Sequence, residues 1–423
     1  MKEDMQRLQE IAKEWMEIAS SPAMEERKRL WKACRDLKSE RPMIRFDAYF
    51  LEGYIAEEQL VCQDTQLRDI EKMMLGMIRQ YKEVGDDIVL NDYFRIPWKI
   101  DATSMGVECT KQHTADQQGK ESVGYAFEHP IKEPEDMEKL LERTFSVDKE
   151  ATLGFKDKVE EAFGGVLPVK VGNTDYFMED FGYNICTGRN YCGITYELFK
   201  LIGFETMGYW MYDEPDCIHT LMEYLTRDRI KYFRYIEEEQ LLDFNTDHQF
   251  AGSVSYGFCS DLPQVGTDRP AKLEDVWSWV EAQETIVLSP SMYKEYVAPY
   301  IGRLGRLFGM NHYGCCERHD DRYDIITEEL PKIRCFMAAK WNDIFRLGEQ
   351  CSGKHVLVKK PAPEFLSGVT PMWDKFEAEM RDTYQATNGG KNLEIIFGDL
   401  YDINKEWGRL TEAVKLTYRI LKL

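Results

Sequence analysis

The last third of the chain limits the fold most, because short apolar runs alternate there with amphipathic helical runs. MNHYGCC (310–316), KIRCFMAAK (332–340), KHVLVKK (354–360) and NLEIIFGDL (392–400) read as strands. DDRYDIITEEL (320–330), NDIFRLGEQ (342–350), MWDKFEAEMRDTYQA (372–386) and the segment after Leu400 read as the helices between and after them. Successive βα units imply a parallel sheet with right-handed crossovers. Upstream, PMIRFDAYF (42–50), DDIVLNDYF (86–94), VLPVKVGN (166–173) and LLDFNTDHQF (241–250) are further strand candidates. The total is about eight, the number that closes a TIM (β/α)8 barrel. A doubly wound open sheet is the rival, but no GxGxxG or Walker-type run follows an early strand.

Residues 1–41 read as an N-terminal helical extension, with 42–423 as the barrel. Ser21 is placed to cap a helix with Pro22 at its first position and Glu25 and Glu26 in its first turn. Leu30, Trp31, Cys34 and Leu37 then recur at helical spacing until Arg41-Pro42. Ser289-Pro290 should open another helix that runs to Leu307, stopped by Gly309. No low-complexity linker or short repeat interrupts the chain, which favours one domain.

Composition narrows the partners. With 54 Lys and Arg against 75 Asp and Glu, the formal charge is −21, so a polyanion meets net repulsion and nucleic acid is not expected. No run approaches the roughly 18 apolar residues of a membrane span. The opening MKEDMQRLQE has no apolar or basic leader character, and a cytoplasmic location is expected. The 11 cysteines are odd in number and irregular in spacing, which suits reduced thiols better than a disulfide framework.

In such a barrel the reactive groups collect at strand C-termini. Those positions hold Asp47; Asn91 and Asp92; Asp175; Asp247 and His248; Cys315, Cys316 and Glu317; Trp341 and Asp343; Lys359 and Lys360; and Asp399. The sharpest run is Tyr313-Gly314-Cys315-Cys316-Glu317. Zinc favours thiolate and imidazole ligands, yet neighbouring strand residues face opposite ways, so one or both cysteines could equally be buried behind the next helix. His248 beside Asp247 is either a ligand or a satisfied polar residue, and Lys359-Lys360 either an anion site or a solvated pair.

The order of EAQETIVLSPSMYKEYVAPY (281–300), YGCCE (313–317), LPKIRCFMAAKWND (330–343), VLVKKPAPEFL (356–366) and LEIIFGDL (393–400) resembles a subgroup of the uroporphyrinogen decarboxylase superfamily common in anaerobic bacteria. The resemblance runs from about Pro42 to the C-terminus. It implies a TIM barrel and one of two chemistries: porphyrinogen decarboxylation, or methyl transfer to or from a corrinoid protein. The decarboxylase branch carries an MRQAGR motif, whereas PMIRFDAYFLEGY stands here. The methyltransferase branch uses zinc through an H-x-C motif and a later cysteine. Cys315 matches the motif cysteine, but Tyr313 stands at the histidine position and no cysteine follows Cys351.

The resemblance therefore implies a corrinoid-dependent methyltransferase component acting on a small methylated substrate, such as a methoxylated aromatic. Asp47, His248, Glu317 and Asp343 are its candidate catalytic groups, and Tyr313, Trp341 and Lys360 its candidate substrate contacts. Cys315, Cys316 and Glu317 are the candidate zinc ligands. A D-x-H-x-x-G run is absent, so cobalamin would arrive on a partner corrinoid protein. A decarboxylase-type lyase, with Asp47 stabilising a protonated pyrrole, and a non-catalytic tetrapyrrole- or corrinoid-binding barrel remain as alternatives. A homodimer would suit the fold.

Overall fold

The computed structural model describes residues 2–48, 51, 53–115, 121–173 and 190–422. The chain begins with α1 (Lys2–Ala19) and α2 (Pro22–Arg35), followed by β1 (Met43–Phe46) and α3 (Thr65–Glu83). Next come β2 (Phe94–Pro97), β3 (Ile100–Ala102), β4 (Thr110–Ala115), β5 (Glu121–Glu128), β6 (Phe145–Val147), α4 (Lys149–Ala162) and β7 (Val169–Gly172). The helices α5 (Thr195–Asp213) and α6 (Pro215–Glu238) precede β8 (Trp277–Val280), α7 (Pro290–Tyr296) and α8 (Ala298–Gly305). The chain ends with β9 (Met310–Tyr313), α9 (Tyr323–Glu329), β10 (Ile333–Ala338), α10 (Ile344–Cys351), β11 (Val356–Lys359), α11 (Trp373–Ala386), β12 (Leu393–Phe397) and α12 (Gly408–Ile420).

This is a mixed α/β fold built on a six-stranded parallel sheet in the order β1-β12-β11-β10-β9-β8. The four βα units expected from the sequence supply its centre. A separate parallel pair joins β2 to β7, while β3 with β6 and β4 with β5 form small antiparallel pairs. Among the described residues no ladder closes these strands into a ring. Residues 86–87 and 191–192 join the sheet edges by a few bonds instead, among them the Asp86 and Asp87 carboxylates accepting from Phe46 and Ile44 N–H and a bridge between Tyr191 and Trp279. Asp87 N–H donates to the Ile44 carbonyl at 2.7 Å, and Cys192 N–H to that of Trp279 at the same distance.

Side-chain alternation along the strands separates two cores. Ile44, Phe46, Phe336, Ala338, Leu357, Leu393, Ile395 and Phe397 face the outer helices. Met43, Phe94, Ile96, Val169, Trp277, Met310, Cys335, Met337, Val356, Val358 and Ile396 share a second core with α1, α2 and residues 250–262. Both parallel sheets thus contribute every one of their strands to one inner core. It is filled by a hairpin in which Phe250 bridges Tyr256 and Ala251 N–H reaches the Ser255 carbonyl at 2.7 Å. At its tip Val254 has φ +52°, a conformation that a β-branched side chain rarely adopts.

The N-terminal extension is part of this core. Ser21 Oγ accepts from Met24 N–H at 3.2 Å, the expected cap. Trp31 is buried and donates its indole N–H to the Asp87 carbonyl at 2.8 Å. Arg35, fully buried, pairs with Glu394 of β12 and donates to Ser255 Oγ at 2.6 Å and the Tyr256 carbonyl at 2.9 Å.

Several boundaries differ from the sequence reading. The helix expected from Ser289 to Leu307 breaks at Val297, because Pro299 lacks the N–H that would continue the ladder and fits only in the first turn of a new helix. The strand expected over 86–94 begins only at Phe94, and 241–250 forms no named strand. Trp277–Val280, not singled out as a strand from sequence, is one. No helix among the described residues is long and apolar enough to cross a membrane.

Candidate active site

The C-terminal ends of β1, β8, β9, β11 and β12 bring thiols, carboxylates and a lysine together. Strand β9 ends at Tyr313, where Gly314 takes φ +99° and turns the chain back toward the hairpin. The turn overrides strand alternation, so both Cys315 and Cys316 point into one cluster. Their sulfurs lie 3.8 Å apart, and Cys315 Sγ is 3.8 Å from Ser253 Oγ of the hairpin. Lys359 and Lys360 divide between the faces of β11. Lys359 pairs outward with Glu379 of α11 at 2.8 Å. Lys360 turns inward, donates to Cys316 Sγ at 3.2 Å and pairs with Asp399, whose Oδ2 also lies 3.2 Å from that sulfur.

The two thiols are inequivalent. The Cys315 hydrogen bond, followed by the Lys360 ammonium, lowers Cys316 below the ordinary thiol range against the opposing effect of burial. Donating that bond, and then burial, push Cys315 well above it. Burial alone would lower Lys360, but the charges of Cys315, Cys316 and Asp399 outweigh it and raise the ammonium's pKa.

A second, deeper group surrounds the end of β8. Glu281 is buried, accepts from the Tyr191 hydroxyl, and accepts from Gln283 N–H at 2.8 Å. Glu284 accepts from Thr195 Oγ1 at 2.7 Å. Burial, then the charges of Glu284 and Glu317, raise Glu281 well above the carboxylate range. Burial also raises Glu284. Burial and the neighbouring carboxylates thus favour the protonated form of Glu281 more than they would for an exposed carboxyl.

The remaining predicted residues take mixed positions. Asp47 stands at the end of β1, with its N–H bonded to the Phe397 carbonyl at 3.1 Å and its carboxylate paired with Arg45 at 2.9 Å. His248 Nδ1 lies 3.1 Å from Asn91 Nδ2 and 3.6 Å from Asp247. Glu317 is buried, and its two oxygens accept from Cys315 N–H at 2.8 Å and Ala282 N–H at 3.1 Å. It acts as a clamp between the ends of β8 and β9. Tyr313 faces away from the cluster, with its hydroxyl 2.9 Å from that of Tyr293 on α7. Asp343 caps α10 through Phe345 and Arg346 N–H at 3.0 and 3.1 Å. Trp341 is 55% exposed beneath the Lys340 ammonium. Asp175 lies outside the described residues.

Sequence reasoning missed two groups. Glu281 is not among the candidate residues, because nothing local marks Trp277–Val280 as a strand ending beside it. His312 is fully buried on the inner face of β9, its ring against Gly252, and neither ring nitrogen has a hydrogen-bond partner among the described residues. Its alternation with Met310 was the available signal.

For zinc, the donors do not fit. Glu317 spends both oxygens on backbone N–H groups, and the Lys360 ammonium already occupies the polar side of Cys316. No three His, Cys, Asp or Glu side chains among the described residues are arranged to hold a metal ion.

No family model matches the chain, and neither does any curated protein. Among solved structures, a methyltransferase from Methanosarcina mazei overlaps 82% of this chain and 85% of its own at 12% identity, with a TM-score of 0.42. At that degree of overlap it decides neither the fold nor the activity.

Proposed function

We propose that the protein is a methyltransferase component that works with a corrinoid protein docked over the strand C-termini, taking a methyl group from a small methylated substrate. The observation that carries this reading is the distribution of exposed apolar side chains. Val287, Trp341, Val369 and Tyr401 are 80%, 55%, 76% and 70% exposed, and follow β8, β10, β11 and β12 on their C-terminal sides. Phe345 and Met372, at the starts of α10 and α11, are exposed as well. Isolated exposed apolar residues need no explanation, and six others stand elsewhere among the described residues, but exposed apolar side chains on four of the segments that follow these strands would suit a docking face. In the same proposal the two parallel sheets curve into one TIM barrel around the hairpin, since all their strands feed a single inner core.

Cobalamin on the partner would supply the cobalt that accepts or donates the methyl group. The chain's own residues would do the rest. Methyl transfer from an ether leaves a poor alkoxide or phenoxide unless that oxygen gains a proton. Burial raises the Glu281 carboxyl, whose Oε1 accepts from Tyr191 Oη, and this pair is the proposed acid. Lys360 and Asp399 orient the polar end of the substrate. The decarboxylase reading is less favoured, because Asp47 is already neutralised by Arg45 and is poorly placed to balance a cationic pyrrole.

The test is anaerobic incubation with cob(I)alamin and a panel of methoxylated aromatics, followed by absorbance and phenol release. Methylcobalamin formation that is lost in Glu281→Gln supports the proposal. No methyl transfer in either direction, with carbon dioxide released from a porphyrinogen, would replace it with the lyase.

A further inference from the structure

The adjacent cysteines differ from the other described thiols in their surroundings. Cys34, Cys62, Cys192, Cys259, Cys335 and Cys351 are buried among core residues, and Cys109 gives its S–H to the Lys200 carbonyl at 3.2 Å. Cys315 and Cys316 alone combine partial exposure, a second thiol at 3.8 Å and a lysine ammonium at 3.2 Å from one of the sulfurs. The two sulfurs follow the end of β9, and both residues are half-buried rather than enclosed in the core.

We propose that Cys315 and Cys316 form a thiol-modification site for low-molecular-weight disulfides. Cys316, held by Lys360, is the attacking sulfur, and its thiolate displaces one thiolate from the disulfide to give a mixed disulfide on Cys316. Cys315 then loses its proton and attacks the Cys316 sulfur. The second small thiolate leaves, and a disulfide forms between the neighbours. The two cysteines are oxidised by two electrons, and one molecule of disulfide is reduced to two thiols. The sulfurs must close from 3.8 Å to about 2.05 Å. Consecutive Cα atoms lie only about 3.8 Å apart, below the usual range for a disulfide, so the ring is strained and easily reduced again. Closure would also draw Cys316 away from Lys360 and Asp399. The site is therefore reversible, and it stands independently of the methyl-transfer reading.

The experiment uses the reduced full-length chain, oxidised glutathione as the probe, and mass spectrometry of intact protein and peptides over time. The expected result is selective reaction at Cys316, passing through a glutathione adduct to a Cys315–Cys316 disulfide. Cys315→Ser should stop at the adduct, and Cys316→Ser should leave the peptide unmodified. Lys360→Met should slow the adduct step at least about tenfold, whereas Lys360→Arg keeps the charge and most of the rate. Modification mapping first to other cysteines, or an unchanged rate in Lys360→Met with native circular dichroism, would overturn the proposal. Protection of the pair by stoichiometric zinc ion would also overturn it and assign the thiols to metal instead.

Discussion

Replacing Arg35 by Met tests whether the N-terminal helices are an appendage or the floor of the inner core. The guanidinium is fully buried, pairs with Glu394, and donates to Ser255 Oγ at 2.6 Å and the Tyr256 carbonyl at 2.9 Å. Removing it leaves the Glu394 carboxylate buried, with Ser255 Oγ at 2.8 Å as its remaining side-chain donor among the described residues. Stranding one member of a buried ion pair costs about 3–5 kcal/mol, against about 0.5 kcal/mol for a surface change. The double variant Arg35→Met with Glu394→Leu removes both charges and keeps apolar volume, so it should recover to within about 1 kcal/mol of the parent. Denaturant unfolding followed by tryptophan fluorescence reads this directly, since Trp31 lies 5.7 Å from the guanidinium. A single-variant loss below about 1 kcal/mol, or a double variant as unstable as the single, would refute the reasoning.

Three further expectations follow from the same packing. Burial raises Asp86 to about 6, so its folded form holds a proton that the unfolded chain releases above about pH 4, and stability falls between those values. Asp86→Asn should remove about 3 kcal/mol of that decline, measured as the difference between the two stability curves from pH 4 to 6.5. Asp343→Ala should cost about 1 kcal/mol through the lost cap and leave any methyl-transfer rate unchanged, which steady-state kinetics would check. Gly252→Ala should destabilise the fold by about 1–3 kcal/mol, because the new Cβ would meet the buried His312 ring at 2.2 Å; thermal unfolding measures it.

The sheet was legible where periodicity and turn chemistry agreed. The units from β9 to β12 alternate short apolar runs with amphipathic ones and carry Gly or Pro stops, and their strands lie within the expected runs. Ser21 and Ser289 cap as their positions imply. Reading failed where tertiary contacts define the backbone. Trp277–Val280 is only four residues long, and nothing local separates it from a loop. Residues 250–256 look like a polar connection after a strand, yet they fill the inner core because Arg45, His312 and Arg35 close around them. At the site, the strand-end rule located Cys315, Cys316, Lys360 and Asp399, but alternation alone could not place both thiols together. The positive φ of Gly314 does that.

The Arg35–Glu394 pair joins positions separated by 359 residues. During synthesis the second helix therefore emerges long before the strand that neutralises its arginine. Until residue 394 clears the ribosome, a helix meant for the interior has a water-exposed cation and an uncovered tryptophan face. Contacts of such high sequence separation slow folding, and partly exposed intermediates are prone to aggregate. The final strand thus acts as a checkpoint: truncations just before β12 should accumulate as chaperone-bound or insoluble chains rather than as smaller folded domains.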